Sequence, residues 1–451
     1  MVTPVVTAFL RNRDDVLLLR CSDAVGSYRG RWAAVSGHVA PDDGEAHERT
    51  PEAAVRAEIE EETGLLDACE LVRAGDPFEV ADDDRGTTWR VHPFLFDCAS
   101  RGVTTNAETV ETAWVLPTEI RRRETVPDLW RSYDRVRPTV ETVRADDDHG
   151  SAYVSVRALD VLRDRAGELS TGDRGDGTPT AWAELRALAV DLLEARPGMA
   201  AVRNRVNRAM AEAAERVDAP GQLDPATVEE RAQSIVEAAL SADDRAAERA
   251  AELLGGERVL TLSRSGTVRR ALDAADPERV LVAESRPGGE GVGVAEELAE
   301  DGADVTLVTD AAVAYHLASG EVDAVLVGAD TVLADGRVVN KVGTRGAALA
   351  AARADIPLYA VAARNKVAPL YAVAARNKVA PDAEPDLADA DPNALYDGDA
   401  PLSVAAPLFD VTPADLVDGV ITEDGVLDPA DVAAVADEHQ VLSSWRRDSP
   451  D

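Results

Sequence analysis

Three glutamates in the stretch AEIEEETGL (57–65) stand at i, i+3 and i+4: Glu58, Glu61 and Glu62. On a helix that spacing brings three carboxylates to one face, and their mutual repulsion is relieved by a cation. Hard oxygen ligands suit Mg2+ or Mn2+, and an ion held this way polarises a phosphate anhydride and activates water. A solvated acidic helix explains the same letters in a chain with 84 acidic residues. The glutamates decide nothing until their surroundings are read.

A second group of residues lies in the C-terminal half. The apolar runs RVLTLS, RVLVAE, DVTLVTD and DAVLVGAD end at or just before Ser263, Glu284, Asp310 and Asp330. They alternate with helical stretches, the pattern of a parallel sheet, where ligands sit beyond the carboxyl ends of strands. Arg286 and Gly291 belong to the glycine-rich ESRPGGEG, whose backbone N–H groups and guanidinium suit a phosphate. Asn340 and Lys341 open NKVGT, and the helix expected after it offers its N-terminus to an anion. Asp330 reads equally as a helix cap or turn residue until charge, strand end and motif are taken together.

The elements that would position these groups fall into three blocks. Residues 1–145 alternate apolar strands (VVTAFL, VLLLR, TTWRVHPFLFD, TAWVLP) with polar turns, and RADDDHG (144–150) breaks the pattern. Residues 150–254 are helical in period, with Leu185, Leu188 and Leu192 on one stripe and STGDRGDGTPT as a loop. Residues 255–451 carry the strand–helix alternation. The expected fold class is α/β: an N-terminal α/β/α sandwich on a mixed sheet, a helical subdomain, then a Rossmann-like parallel α/β domain.

Composition bounds the partners. The formal net charge is −37, carboxylates are spread along all 451 residues, and the only lysines are Lys341, Lys366 and Lys378. Such a surface fits a protein adapted to multimolar salt, where screening removes most like-charge repulsion. It argues against phosphate-backbone contacts, so no nucleic-acid partner is expected. Cys21, Cys69 and Cys98 lack metal-type spacing and fit a reduced chain. No leader pattern and no apolar run of membrane-spanning length is present, so a cytoplasmic location without membrane contact is expected.

The stretch containing the three glutamates resembles the Nudix hydrolase box, matching through Glu58, Ile59, Glu61, Glu62, Gly64 and Leu65. Gly37 in GRWAAVSGHVAP takes the place of the opening glycine, and NAETVETAW offers a further acid, Glu108 or Glu111. The resemblance implies metal-dependent hydrolysis of a nucleoside diphosphate derivative, with Glu58, Glu61 and Glu62 as catalytic metal ligands. Two departures stand out. DDGEAHERT lengthens the box, and Ala57 occupies the arginine position, with Arg56 one residue, about 100°, away around the helix.

The C-terminal two-thirds resembles the initiation factor 2B alpha/beta/delta-subunit family, which includes ribose-1,5-bisphosphate and methylthioribose-1-phosphate isomerases. The motifs, in order, are EARPGMAAVRNRVNRA, VAESRPGGEGVG, DAVLVGADTVLADGRVVNKVGT and PLFDVTPADLVDGVITEDGV. The resemblance implies a sugar-phosphate site with Asp330 as the catalytic acid and Arg286, Gly291, Asn340, Lys341 and Ser263 as binding residues. It also implies a homodimer. The isomerases' cysteine position holds Ser263, with Leu262 in the histidine's place, and ESRP is closer to the regulatory members. Phosphometabolite binding, sugar-phosphate isomerisation and a non-catalytic regulatory role therefore all stay open beside Nudix-type hydrolysis.

PLYAVAARNKVA occurs twice without a change, at 357–368 and 369–380. One copy reads as a buried strand and its loop. A single sheet slot cannot take both, so one copy is expected to be displaced. The sharper alternative is a second phosphate-binding lysine, Lys378 beside Lys366.

Overall fold

The computed structural model describes residues 2–23, 28–39, 49–82, 86–146, 149–172, 180–215, 224–368, 387, 389–398 and 400–446. Its chain divides into two compact units. One is Met1–Thr139, Asp160–Ala181 and Asp224–Glu229; the other is Val140–Leu159, Trp182–Leu223 and Glu230–Asp451.

The first unit is built on an eight-stranded mixed sheet. Its elements are β1 (Val2–Asn12), β2 (Asp15–Cys21), β3 (Trp32–Ala33), β4 (Val35–His38), α1 (Pro51–Thr63), β5 (Cys69–Ala74), β6 (Phe78–Asp82), β7 (Thr87–Cys98), β8 (Thr109–Val115) and α2 (Leu129–Asp134). The central order is β3-β2-β1-β7-β5, with β4 paired to β1, β6 to β7 and β8 to β2. Successive side chains of a strand point to opposite faces, and in β1 both faces are covered. Val6, Ala8 and Leu10 join Val55 and Ile59 of α1 in one apolar cluster. Phe9 joins Leu129 and Tyr133 of α2 in another. This is the expected α/β/α sandwich.

Helices follow: the short α3 (Val140–Ala145), then α4 (Ser151–Thr171), α5 (Ala181–Ala195), α6 (Ala200–Ala214) and α7 (Pro225–Leu254). Leu185 and Leu192 of α5 are fully buried, as their spacing implies.

The C-terminal part comprises β9 (Arg258–Leu262), α8 (Gly266–Ala275), β10 (Arg279–Ala283), α9 (Glu290–Glu300), β11 (Val305–Val308), α10 (Val313–Ala318), β12 (Ala324–Gly328), β13 (Thr331–Val332), β14 (Val338–Lys341), α11 (Thr344–Ala354), β15 (Leu358–Val361), β16 (Phe409–Thr412), β17 (Gly419–Thr422), β18 (Gly425–Leu427) and α12 (Pro429–Val441). The main sheet runs β11-β10-β9-β12-β15-β17-β18, parallel except for β18, and β13-β14-β16 form a small antiparallel sheet. Val259, Ala324 and Leu326 face α7, α8 and α9, whereas Leu260, Val325 and Val327 face α10, α11 and α12. Burial on both faces explains why these strands read as continuous apolar runs.

The first copy of the duplicated segment takes the sheet slot: Leu358–Val361 is β15, between β12 and β17. The second copy, with Lys378, and most of the lengthened stretch after Gly37 lie outside the described residues.

Candidate active sites

In the N-terminal unit, α1 is set by local signals. Thr50 caps its start by accepting from the Ala53 N–H (3.2 Å), Pro51 opens it, and Gly64 closes it at φ 64°. Burial of Ala54, Val55 and Ile59 fixes its rotation. That rotation leaves Glu61 exposed, half-buries Glu58 and buries Glu62. The sheet then crowds the acids from the other side, because a Cβ at Gly37 would fall 2.0 Å from the Glu58 Oε1. Any larger residue there would displace the Glu58 carboxylate from its place beside β4.

Glu62 is the electrostatic centre. Burial, then the charge of Glu58, with Glu108 and Glu61 adding, outweighs a hydrogen bond from the Ser36 backbone and pushes its carboxyl up to about 9. Without a cation it holds its proton at neutral pH. Of the two candidate further acids, Glu108 acts on Glu62, while Glu111 pairs with Arg20 at 3.2 Å. Arg56 binds Glu52 (3.0 Å) and lies over the Phe96 ring at 5.5 Å, so it does not stand in for the arginine missing at Ala57. Among the described residues no three acidic, histidine or cysteine side chains form a ready-made metal cluster. The donor chemistry nonetheless fits a hard divalent ion: Glu58, Glu108 and Glu61 raise the cost of ionising Glu62, and a cation would relieve it.

The C-terminal site forms where the strand order reverses. From β9 the chain winds outward through β10 and β11, then returns to β12 on the other side of β9. Ligand clefts form at such a point. Ser263 follows β9 and Asp330 follows β12, so the two are carried to this reversal. Gly328 keeps the approach open, since a Cβ there would be 2.9 Å from the Ser265 Oγ.

Ser263 and Ser285 both adopt left-handed backbone (φ 62° and 64°), a strained conformation for a non-glycine residue. The Ser263 N–H donates to the Ser285 Oγ at 2.6 Å. Ser285 and Arg286 in turn donate their N–H groups to the Asp310 carboxylate at 2.8 and 2.7 Å. Asp310 therefore anchors the loop. Arg286 extends an exposed guanidinium, paired with Glu284 at 3.2 Å. Gly291 is required by packing: a Cβ would meet the Ala283 carbonyl oxygen at 1.8 Å.

Around Asp330 two buried lysines gather. Lys341 pairs with Glu290 at the start of α9, and Lys366 donates to the Ala329 carbonyl oxygen at 2.7 Å. Burial raises the Asp330 carboxyl, and the charges of Lys366 and Lys341 oppose that rise. Asn340 is buried and donates to the Thr344 Oγ1 at 3.0 Å. The N-terminus of α11, expected to be open to an anion, is already filled. Asp410 accepts from the Gly343 N–H (2.8 Å) and the Arg345 N–H (3.1 Å). Glu290 and Asp410 were not singled out by sequence; the acidic residue opening α9 after two glycines was the available signal for the first, whereas Asp410 lies 69 residues beyond Lys341 in the chain.

The loop after β15 is held from two helices. Asn204 of α6 donates to the carbonyls of Asn365 and Val367, each at 2.8 Å. From α12, Glu438 pairs with Arg364 at 2.5 Å, and His439 lies 3.3 Å from the Arg364 carbonyl oxygen. That clamp fixes Lys366.

Comparison with known proteins agrees with both readings of the sequence. The NUDIX domain profile matches residues 1–136. Ribose 1,5-bisphosphate isomerase of Haloferax volcanii is 31% identical over 339 residues, covering 70% of this chain and 98% of that protein. The enzyme of that name from Archaeoglobus fulgidus is 30% identical over 301 residues, 66% of this chain and 90% of that protein. A crystal structure of translation initiation factor eIF-2B from Pyrococcus horikoshii superimposes with a TM-score of 0.51 at 24% identity, over 64% of this chain and 95% of that one. The last likeness speaks to fold alone. With the initiation factor 2 subunit family profile matching residues 147–429, the chain belongs to that family and carries a NUDIX domain ahead of it.

Proposed function

We propose that the C-terminal domain binds a phosphorylated sugar or nucleotide, and that the N-terminal domain is a divalent-cation-dependent hydrolase of a nucleoside diphosphate derivative. The observation that carries the first statement is the gathering of Lys341 and Lys366 about Asp330. In a chain of net charge −37 with three lysines, two are buried at one strand-end cleft. Buried amines of this kind suit a phosphate. Arg286 lies on the loop after β10 as an exposed guanidinium that can meet a second anionic group.

For the second statement, Mg2+ or Mn2+ would be held by Glu58, Glu61 and Glu62, with Glu108 as the further acid. The ion supplies charge neutralisation on the diphosphate and a more acidic water. Glu62 must release its proton to join the ligand set, and Gly37 keeps room for Glu58. No guanidinium at position 57 orients the carboxylates, so turnover below that of an arginine-bearing box is expected.

A second reading of the C-terminal site is sugar-phosphate isomerisation. It is favoured by relatives of at least 30% identity that are ribose 1,5-bisphosphate isomerases. Asp330 would move the proton. Ser263, however, offers a hydroxyl where a thiol of pKa about 8.5 would be far easier to ionise. A homodimer and a regulatory use of the bound phosphate belong to this proposal as well.

One experiment addresses each site. Nucleoside diphosphate sugars, ADP-ribose and dinucleotides are screened for Mg2+-dependent hydrolysis in multimolar salt, wild type beside Glu61→Gln. Turnover lost in the variant supports the hydrolase; turnover equal in both refutes the metal assignment. In parallel, ribose 1,5-bisphosphate is titrated calorimetrically into wild type and Lys366→Met. Binding weakened at least about tenfold in the variant, roughly 1.4 kcal/mol, supports the site. Equal affinity rejects it, and ketose product from the wild type establishes the isomerase reading.

A further inference from the structure

Cys69 and Cys98 stand directly opposite each other where β5 pairs antiparallel with β7. The neighbouring pair is joined by a bond from the Ala99 N–H to the Ala68 carbonyl oxygen at 2.8 Å. Antiparallel pairs alternate between hydrogen-bonded and non-hydrogen-bonded, so Cys69 and Cys98 form a non-hydrogen-bonded pair. There the Cα atoms approach to about 4.5 Å and side chains are closest. That separation lies inside the roughly 4.4–6.8 Å spanned by disulfides. Both side chains are on one face of the sheet, and each thiol perturbs the ionisation of the other. The backbone is pinned as well, since the Asn12 Nδ2 donates to the Cys98 carbonyl oxygen at 2.7 Å.

We propose that Cys69 and Cys98 form a reversible cross-strand disulfide, a redox-sensitive site independent of both phosphate chemistries above. Cys69 is half-buried and within reach of solutes, whereas Cys98 is buried. The Cys69 thiolate attacks one sulfur of a low-molecular-weight disulfide and expels one small thiolate. The Cys98 thiolate then attacks the Cys69 sulfur of that mixed disulfide and expels the second. Two protein thiols lose two electrons and two protons; the small disulfide gains them and leaves as two thiols. Cys21 takes no part: it sits on β2 opposite Thr109.

The location gives the bond a consequence. Cys98 lies in the apolar cluster that carries Val55 and Ile59 of α1, and Cys69 packs against the same cluster. The bond would fasten β5, the outer strand of the central order, to β7 in the layer that supports the acidic helix. In a reducing cytosol such a bond is transient and responsive rather than structural.

The test uses the full-length reduced protein and oxidised glutathione, followed by alkylation and denaturation. Titratable thiols should fall from the three in the sequence to one, with a Cys69–Cys98 linked peptide in the digest and full recovery in dithiothreitol. Cys98→Ser should stop at a glutathione adduct on Cys69, and Cys21→Ser should still form the internal link. Three thiols persisting after prolonged oxidation, a link through Cys21, or a link between chains would each overturn the proposal.

Discussion

Glu62 combines burial with three acidic neighbours, and the two facts pull its stability and its chemistry in opposite directions. Its carboxyl is pushed up to about 9, against an ordinary value near 4.5. An acid whose folded pKa is raised costs the fold stability as pH climbs from the ordinary value toward the shifted one. Glu62→Gln removes that cost without changing shape. In EDTA at pH 8 the variant is therefore expected to melt no lower than wild type, while any Mg2+-dependent hydrolysis falls at least about 100-fold. A variant that melts well below wild type would show that the carboxyl is ionised and paired after all. The acids themselves were legible, because i, i+3, i+4 spacing is a property of the sequence. Their inequality was not. Which of the three is buried depends on the rotation of α1, and that is set by Val55 and Ile59 against β1, residues far apart in the chain. The same reason hid Glu290: Lys341, its partner, is 51 residues away.

Elements were read well where one period dominates. The strand–helix alternation after Gly255 gave the parallel sheet, since strands buried on both faces announce themselves as unbroken apolar runs. Their spatial order, with β9 beside β12, was not legible, because it depends on which side of the sheet each crossover returns to. The duplicated segment is the clearest case of one sequence meeting one slot. The first copy supplies β15 and the loop with Lys366, so residues 358–361 take the slot between β12 and β17. Deleting residues 369–380 should leave the melting temperature within a few degrees of wild type or raise it; loss of folded protein would mean that the second copy is structural. The clamp on the same loop carries a pH prediction. Burial lowers the His439 imidazole to about 4, against a bond to the Arg364 backbone. Above its ordinary value of 6.5 the residue is neutral folded or unfolded and contributes no pH dependence. As pH falls from 6.5 toward 4, only the unfolded chain gains the proton, so the fold loses on the order of 3 kcal/mol. His439→Gln should lose that much less between pH 7 and pH 4 in denaturant titrations. An unchanged acid slope would place the proton on the folded histidine.

At the scale of the whole molecule, charge sets the working conditions. Many surface arginines are already paired, as in Arg258–Asp323 (2.6 Å) and Arg279–Asp304 (2.9 Å). Pairing cannot balance the chain, because 84 acidic residues face 47 basic ones. The excess −37 is spread over the sequence, so it acts as self-repulsion across the surface rather than as one binding patch. Screening decides how much that repulsion costs. The Debye length is about 10 Å at 0.1 M salt and about 3 Å at 1 M, so repulsion between neighbouring surface charges is cut much further at the higher concentration. The apolar core opposes that repulsion, and parts of it are built from small side chains. Ala347, Ala348 and Ala351 of α11 and Ala246, Ala247 and Ala250 of α7 stand where larger residues would bury more area. Stability should therefore rise steeply with salt: the melting temperature in 2 M KCl is expected to exceed that in 0.1 M KCl by at least about 10 °C, with most of the gain below 1 M. A melting temperature flat between 0.1 and 2 M would mean that the carboxylates are neutralised locally, and that the acidity serves a basic partner instead of a salty solvent.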